Sequence, residues 1–207
     1  MCGTTNLDDA VAAVQAGVDG LGFIFVPKSP RNVEPEKVRA ITGMLPPFVH
    51  FVGVFVDRPI ADIIELADMC SLTHIQLHGK EDPDYCRQLR RQCNCALIKA
   101  FRVGPESVAA DFTPYDDVVK GYLLDTYKKG IAGGTGESFD WGIIDNLFLQ
   151  RPIILAGGLT PDNVQEAIET IHPYAIDINS GVEKEPGVKD HKKLRDLIKQ
   201  VRLTDAG

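Results

Sequence analysis

The sequence lacks any apolar run of the roughly 20 residues that a membrane-spanning helix requires. Its first residues also lack the basic segment followed by an apolar one that marks a secretory signal. These two absences favour a cytoplasmic protein without a membrane partner. No low-complexity linker and no shift in composition divides the 207 residues, so one domain covering residues 1–207 is expected.

Cysteine is scarce and irregularly spaced. The five cysteines form no C-x-x-C pair, and an odd number does not suit a closed set of disulfides. Reduced thiols are therefore predicted. None of the five histidines has a ligand-like spacing to a cysteine, so no metal site is expected.

An excess of positive charge is also missing. The formal net charge is −7 and the isoelectric point is near 5.2, which disfavours a nucleic acid or an anionic membrane as partner. Hydrophobic residues make up 44% and charged residues 25% of the chain, the usual proportions of a globular protein. Disordered and fibrous classes are thereby excluded.

The most informative stretch that is present is the apolar run at residues 153–158. It reaches two glycines and is followed by a helix-like segment at 163–171, so it predicts a buried strand, a tight turn and a helix. Glycines at a strand end let backbone N–H groups approach a phosphate closely, and a helix start favours its charge. A similar pattern recurs at residues 175–181. Phosphate sites between the last two strands are typical of (β/α)₈ barrels.

Along the chain, apolar strand-like runs alternate with helix-like segments, which predicts a parallel sheet. Seven strands are expected, and one helix at residues 8–16 has no strand before it. A closed barrel needs eight strands, so the missing one would have to lie within residues 1–7. An open, doubly wound sheet is the alternative. The predicted strands lie at residues 20–26, 51–56, 73–77, 96–101, 122–125, 153–156 and 175–179.

Polar residues at the ends of these strands are the candidates for chemistry, because ligands of such barrels collect at the carboxyl ends of strands. Asp125 ends a buried strand, where low dielectric raises the pKa of carboxyl groups and favours a general acid; a loop or capping role is the alternative. Arg31 lies in a loop stiffened by two prolines and could hold a carboxylate, or be a solvated surface residue. His78 could contact a ligand or bond within its loop.

Two further candidates are weaker from their residues alone. Gly133 and Gly134 belong to a glycine-rich loop that could supply backbone donors or simply be a flexible connection. Cys2 could act as a base only with a lowered pKa, since an ordinary thiol of pKa near 8.5 is only ~3% ionised at pH 7. Nothing in the sequence supplies that shift.

A set of motifs in a fixed order resembles the phosphoribosylanthranilate isomerase family. The resemblance covers the chain from Cys2 to the last helix. Several motifs at consistent spacing are far more specific than any single glycine pair. They are Cys2-Gly3-Thr4-Thr5, the segment 25–31, the segment 51–55, Gln76-Leu77-His78-Gly79, Leu124-Asp125-Thr126, the segments 133–136 and 139–141, the segment 155–159, and the segments 179–183 and 186–190.

This resemblance implies a (β/α)₈ barrel of the tryptophan pathway that uses no metal and no organic cofactor. Its reaction would be the Amadori rearrangement of N-(5-phosphoribosyl)anthranilate, an aldose–ketose isomerisation. Asp125 would be the general acid, Cys2 the general base and Arg31 the ligand of the anthranilate carboxylate. The resemblance also implies a phosphate site formed by Gly157, Gly158, Ser180 and Gly181.

In one respect the chain departs from the family pattern. Family members carry a short strand directly before the Cys-Gly pair, where this sequence has only Met1. Either further residues precede it, or the barrel keeps a gap that exposes two strand edges and leaves Cys2 on a mobile terminus. About five restored upstream residues would then raise melting temperature and turnover. Equal values for both forms would contradict this.

Two alternatives remain open from the sequence alone. Other phosphate-binding barrels, such as a histidine-pathway isomerase or an indole-glycerol-phosphate synthase, would explain the phosphate site but not Cys2 together with Arg31 and Asp125. A non-catalytic or impaired phosphosugar-binding barrel would fit the shortened first strand.

The expected partner is a small phosphosugar substrate, and the expected assembly is a monomer or a homodimer.

Overall fold

The structure, a computed structural model, describes residues 1–126 and 142–205, with the exception of the side chain of Asp145. Helices and strands alternate through most of this length. They are α1 (Leu7–Ala16), β1 (Gly20–Ile24), α2 (Pro35–Thr42), β2 (His50–Phe55), α3 (Ile60–Met69), β3 (His74–Leu77), α4 (Pro83–Gln92), β4 (Ala96–Arg102), β5 (Gly121–Asp125), α5 (Gly142–Asp145), β6 (Ile153–Ala156), α6 (Val164–Ile171), β7 (Ala175–Ile176), β8 (Glu183–Glu185), β9 (Val188–Lys189) and α7 (His191–Asp205).

Strands β1 to β7 form one parallel sheet in chain order, each paired with the next. The runs without alternation become strands buried on both faces, as the sequence predicts. Outward side chains such as Phe23, Phe55 and Leu77 are fully buried against the helices. Inward side chains form a smaller cluster on β4, β5 and β6 that includes Ala100 and Ala156. Small residues inside the barrel leave space for a cavity above them.

Residues 1–4 join β1 to the β7 side of the sheet and close the barrel. The Cys2 N–H donates to the Ile178 carbonyl at 2.8 Å, and the Gly22 N–H donates to the Met1 carbonyl at 2.8 Å. The Thr4 N–H donates to the Gly22 carbonyl at 2.9 Å. The result is a (β/α)₈ barrel whose first strand is reduced to this short segment.

The gap allowed by the sequence is therefore occupied. Met1, Cys2 and Thr4 are all buried, with 7%, 6% and 0% of their surfaces exposed. The N-terminal amine donates to the Gly20 carbonyl at 2.9 Å. Cys2 does not lie on a free terminus, because its own N–H is bonded to Ile178 and its neighbours Met1 and Thr4 are bonded to Gly22 of β1.

The structure differs from the sequence-based expectations in three places. Between β4 and β5, where the expected alternation calls for a helix, the chain forms only two single 3₁₀ turns, Ala109–Asp111 and Thr113–Tyr115, because Pro114 interrupts a longer helix. The strand expected to reach residue 179 ends at Ile176. The antiparallel hairpin of β8 and β9 was not predicted. Among the described residues, no helix combines the length and the apolar character needed to cross a membrane.

Candidate active site

A cavity of about 470 Å³ opens at the carboxyl ends of the strands. It brings together almost every site residue that the sequence predicts within the described ranges. These residues come from both ends of the chain and from the middle strands, so only the closed barrel makes them neighbours. Its polar or glycine lining comprises Cys2, Arg31, Gln76, His78, Asp125, Gly157, Gly158, Asp177, Asn179, Ser180 and Gly181.

Cys2 lies against β1 with its thiol facing the cavity. A side chain on Gly22 would place its Cβ only 3.1 Å from the Cys2 Sγ, so the glycine makes room for the cysteine. Burial, and secondarily the carboxylate of Asp177, raises the pKa of the Cys2 thiol to about 12, although the N-terminal ammonium and Lys189 act in the opposite direction. In the ligand-free protein Cys2 is therefore a protonated thiol. This shift is opposite to the one that a resting thiolate base requires.

Asp125 is the last residue of β5, and its side chain is 22% exposed to the cavity. The His78 Nε2 lies 3.9 Å from the Asp125 Oδ2. The Gln76 amide lies 3.2 Å from the His78 Nδ1, and an NH₂ donor there assigns the ring proton to Nε2. Burial lowers the pKa of His78 despite the nearby Asp125, so the imidazole is neutral at pH 7. A neutral N–H donor thus faces the Asp125 Oδ2.

The two glycine turns meet at the edge of the cavity. Gly157 and Gly158 both have positive φ, +100° and +65°, a conformation that glycine adopts without strain. A Cβ added to Gly158 would meet nothing within 4 Å, whereas one on Gly181 would lie 1.8 Å from the Leu159 carbonyl oxygen. Gly181 is required for packing of the two turns, and Gly158 leaves the space above its backbone open.

Arg31 is held by a carboxylate and is not a solvated surface residue. Its Nε lies 2.9 Å from the Glu183 Oε1, and its Nη2 lies 2.7 Å from the Glu183 Oε2. Its stem crosses Gly3, where an added Cβ would lie 2.8 Å from the Arg31 Cδ. Because Gly3 has a φ of +72°, no other residue fits that position without strain. The guanidinium is consequently fixed beside the loop that carries Cys2.

Three charged residues near the cavity were missed as site residues. Asp177 follows β7, and burial raises the pKa of its carboxyl group against the effect of the N-terminal ammonium 3.9 Å away. Glu183 and Lys189, on β8 and β9, form a buried ion pair of 2.9 Å. The signal for Asp177 was a carboxylate inside an apolar strand. Glu183 and Lys189 gave no signal of their own, since charged residues in a short polar stretch are usually solvated.

Two of the predicted contacts, Gly133 and Gly134, lie outside the described residues. All five cysteines are free thiols, as predicted. Within residues 1–126 and 142–205, no group of three or more His, Cys, Asp or Glu side chains is arranged to hold a metal ion.

The family model described as N-(5'phosphoribosyl)anthranilate (PRA) isomerase matches residues 1–200. The chain belongs to this family. A relative from Pelobacter propionicus named N-(5'-phosphoribosyl)anthranilate isomerase is 45% identical over 204 residues, which are 99% of this chain and 95% of that protein. The resemblance drawn from the motifs is thereby confirmed.

Solved structures of the isomerase family agree in fold. The crystal structure of phosphoribosyl anthranilate isomerase from Thermotoga maritima is 40% identical, with a TM-score of 0.84 over 98% of this chain and 97% of that one. Another isomerase structure, in complex with reduced 1-(o-carboxyphenylamino)-1-deoxyribulose 5-phosphate, is 38% identical, with a TM-score of 0.80 over 97% and 96% of the two chains. The (β/α)₈ architecture is therefore that of the isomerase family.

Proposed function

We propose that this protein converts N-(5-phosphoribosyl)anthranilate into 1-(2-carboxyphenylamino)-1-deoxyribulose 5-phosphate, with the residues of the rim cavity in named roles. The observation that carries the proposal is the meeting of Cys2, Asp125 and Arg31 with both glycine turns in one cavity of about 470 Å³. Asp125 suits the ribose ring oxygen, Arg31 the anthranilate carboxylate and Cys2 the C2 proton. The two glycine turns suit the 5-phosphate.

The substrate would bind with its two anionic ends apart. Backbone N–H groups of the Gly157-Gly158 and Ser180-Gly181 turns suit the 5-phosphate. The guanidinium of Arg31 suits the anthranilate carboxylate. The ribose then lies between them, within reach of both Asp125 and Cys2, so binding at the ends orients the reacting carbons.

The first step is opening of the ribose ring. Asp125 donates a proton to the ring oxygen while the nitrogen lone pair forms the C1–N double bond and the C1–O bond breaks. The product is a protonated Schiff base. The His78 Nε2 faces the Asp125 Oδ2 at 3.9 Å, and a small approach of the neutral imidazole would let its N–H stabilise the carboxylate that Asp125 becomes after giving up its proton.

The second step removes the C2 proton. Cys2 accepts it, and the electron pair of the C–H bond neutralises the imine nitrogen to give an enolamine that tautomerises to the ketose. Since burial raises the pKa of the free thiol to about 12, a base form needs added positive charge. The Schiff-base cation supplies it and adds to the effect of the N-terminal ammonium and Lys189. The thiol then loses its proton to solvent in the open cavity, and the resulting thiolate is the form that accepts the C2 proton. Cys2 is thus active only when the intermediate is present.

The loss of substrate fluorescence with freshly generated phosphoribosylanthranilate tests the proposal. Turnover on the order of 1–10³ s⁻¹ is expected.

Asp125→Asn should lower kcat by about 10²–10⁴-fold and leave binding of the reduced product analogue nearly unchanged. Cys2→Ser should also lower kcat, since a serine hydroxyl ionises far less readily than a thiol and the base form is not available. Unchanged kcat in the aspartate variant would reject the acid, and unchanged kcat in the serine variant would reject the base.

A further inference from the structure

Arg31, Glu183 and Lys189 form a closed group at one side of the cavity. Both Glu183 carboxylate oxygens accept from Arg31, and Oε1 also accepts from the Lys189 Nζ at 2.9 Å and from the Gly187 N–H at 3.2 Å. The side chains of Lys189 and Glu183 are 0% and 5% exposed. The carboxylate is therefore saturated with donors and fixed in direction.

Counting charges within this group leaves one positive charge unbalanced. Burial alone would raise the pKa of Glu183, but hydrogen bonds from Arg31 and Lys189 outweigh it and lower the pKa from 4.5 to about 2, so the carboxylate is ionised at neutral pH. Two cations then face one anion. Without Lys189, Arg31 and Glu183 would form a neutral pair, and an arriving carboxylate would meet the charge of Glu183.

We propose that Glu183 and Lys189 are positioning residues for recognition of the substrate carboxylate: Glu183 aims the Arg31 guanidinium, and Lys189 keeps the group cationic. This inference rests on the proposed function, in which Arg31 binds that carboxylate. Neither residue contacts the reacting carbons in this assignment. Their effect passes through Arg31 and is confined to the anthranilate end of the substrate.

The donors of Arg31 agree with this assignment. Its side-chain bonds to described residues use Nε and Nη2 and go to Glu183, so within those residues Nη1 keeps both hydrogens for another acceptor. Arg31 also lines the cavity. One edge of the guanidinium is fixed by the protein, and the other is directed to a ligand carboxylate.

Lys189 is itself anchored, so its charge cannot move away. Its Nζ lies 2.9 Å from the Asn179 Oδ1, and its backbone N–H donates to the Asp9 Oδ2 at 2.9 Å. Asn179 lines the cavity beside the Ser180-Gly181 turn. The hairpin of β8 and β9 is thereby attached to both α1 and the phosphate turn, and the cationic group exists before any ligand arrives.

The test compares two ligands that differ only in the carboxylate: reduced 1-(o-carboxyphenylamino)-1-deoxyribulose 5-phosphate and the same molecule with an unsubstituted phenyl ring. Dissociation constants are measured by calorimetry for the wild type, Lys189→Met and the double variant Glu183→Gln/Lys189→Met. The preference for the carboxylated ligand should fall about tenfold or more in both variants, with the affinity for the phenyl ligand nearly unchanged. KM for substrate should rise more than kcat falls. The double variant removes one charge of each sign and leaves only Arg31, whose side chain is 20% exposed, so it tests the direction of the guanidinium if the single variant folds poorly.

The buried Lys99–Glu81 pair provides a matched control. Its atoms lie 3.2 Å apart, and both side chains are almost completely buried, but it supports the loop after β3 instead of Arg31. The double variant Lys99→Met/Glu81→Gln should keep the wild-type preference. An equal loss of preference there, or an equal loss of affinity for both ligands in the Lys189 variants, would mean a general structural role and overturn the inference.

Failure of the inference can be told apart from failure of the proposed function. A wild-type protein with no preference for the carboxylated ligand would contradict the assignment of Arg31 and both proposals with it. A wild-type preference that survives in Lys189→Met and in the double variant would overturn only the role of Glu183 and Lys189.

Discussion

Single residues of the site are constrained more by close packing than by chemistry. Cys2 fits inside the barrel because residue 22 has no side chain, and the Arg31 stem fits because residue 3 has none. The two glycine turns fit together because residue 181 also has no side chain, which would otherwise collide with the Leu159 carbonyl. These glycines bring loops from distant parts of the chain into contact, and they determine where the functional side chains point.

Gly181→Ala should displace the phosphate turn. The new Cβ would lie 1.8 Å from the Leu159 carbonyl oxygen, so one of the two turns must move. We expect kcat/KM to fall about a hundredfold, the effect of misplacing a bound substrate by about 1 Å. Gly104→Ala is the matched control, because its Cβ would meet nothing within 4 Å. Equal kcat/KM values for the two variants would contradict this account.

The thiol of Cys2 should be unreactive in the free protein. With a pKa raised to about 12, its reaction with iodoacetamide at pH 8 should be about a thousandfold slower than that of free cysteine. The rate, followed by mass spectrometry, should rise about tenfold for each pH unit from 8 to 10, as expected below the pKa of a thiolate nucleophile. A plateau below pH 9 would show that the resting thiol is already ionised. Slow access alone lowers the rate but does not create such a plateau.

Among the secondary-structure elements, α1 is connected to the site by one buried carboxylate, that of Asp9. It begins after Asn6, whose side chain accepts from the Asp9 N–H. Asp9 is only 3% exposed and also bonds the Lys189 N–H and the His191 Nε2, which lies 2.7 Å from it. One carboxylate thus connects the first helix, the β8–β9 hairpin and the start of α7. The position of the hairpin, and of Glu183 on it, depends on this connection.

Asp9→Ala should lower the free energy of unfolding by roughly 2–4 kcal/mol, because a buried N–H and a histidine lose their acceptor. Urea denaturation measures the change. Asp8→Ala is the control, because the Asp8 carboxylate is exposed. It contributes to the free energy of unfolding only through the helix dipole, by under about 1 kcal/mol. If both variants lose the same stability, Asp9 does not connect these elements as described.

For the whole molecule, the decisive feature is closure of the barrel by a segment too short to count as a regular strand. Seven strands alone would leave β1 and β7 with open edges. Main-chain hydrogen bonds from residues 1–4 reach both of these edges. They also place Cys2 opposite the cavity residues of the later strands. The benefit expected from upstream residues stays a prediction, although the edges it was meant to protect are already paired here.

Hydrogen exchange tests this closure. The amides of Cys2 and Thr4 should exchange as slowly as those of the sheet, because each donates to a neighbouring strand at 2.8 or 2.9 Å. The amide of Glu106, in an exposed loop, is the reference for fast exchange. Exchange of Cys2 and Thr4 at the loop rate would mean that the terminus is frayed and that the barrel is open at this position.

The sequence by itself determined the order of the elements, the parallel sheet and the candidate residues at strand ends. Apolar runs, turn residues and helix caps are local signals, so the bounds of α1 and of most strands agree closely with the structure. The family motifs added Cys2, Arg31 and Asp125 in named roles, and those roles remain predictions that the variants above can test.

Only the tertiary structure decided the closure of the barrel, the protonation of Cys2 and the partners of Arg31. Each depends on groups far apart in the chain: Met1 beside Gly20, and Arg31 beside Glu183. Burial and charge at a point in space set the pKa of a thiol and the direction of a guanidinium, and neither quantity is written in local sequence. The contacts of Glu183 and Lys189 could not be predicted for the same reason, because their partners Arg31, Asn179 and Asp9 come from other parts of the chain.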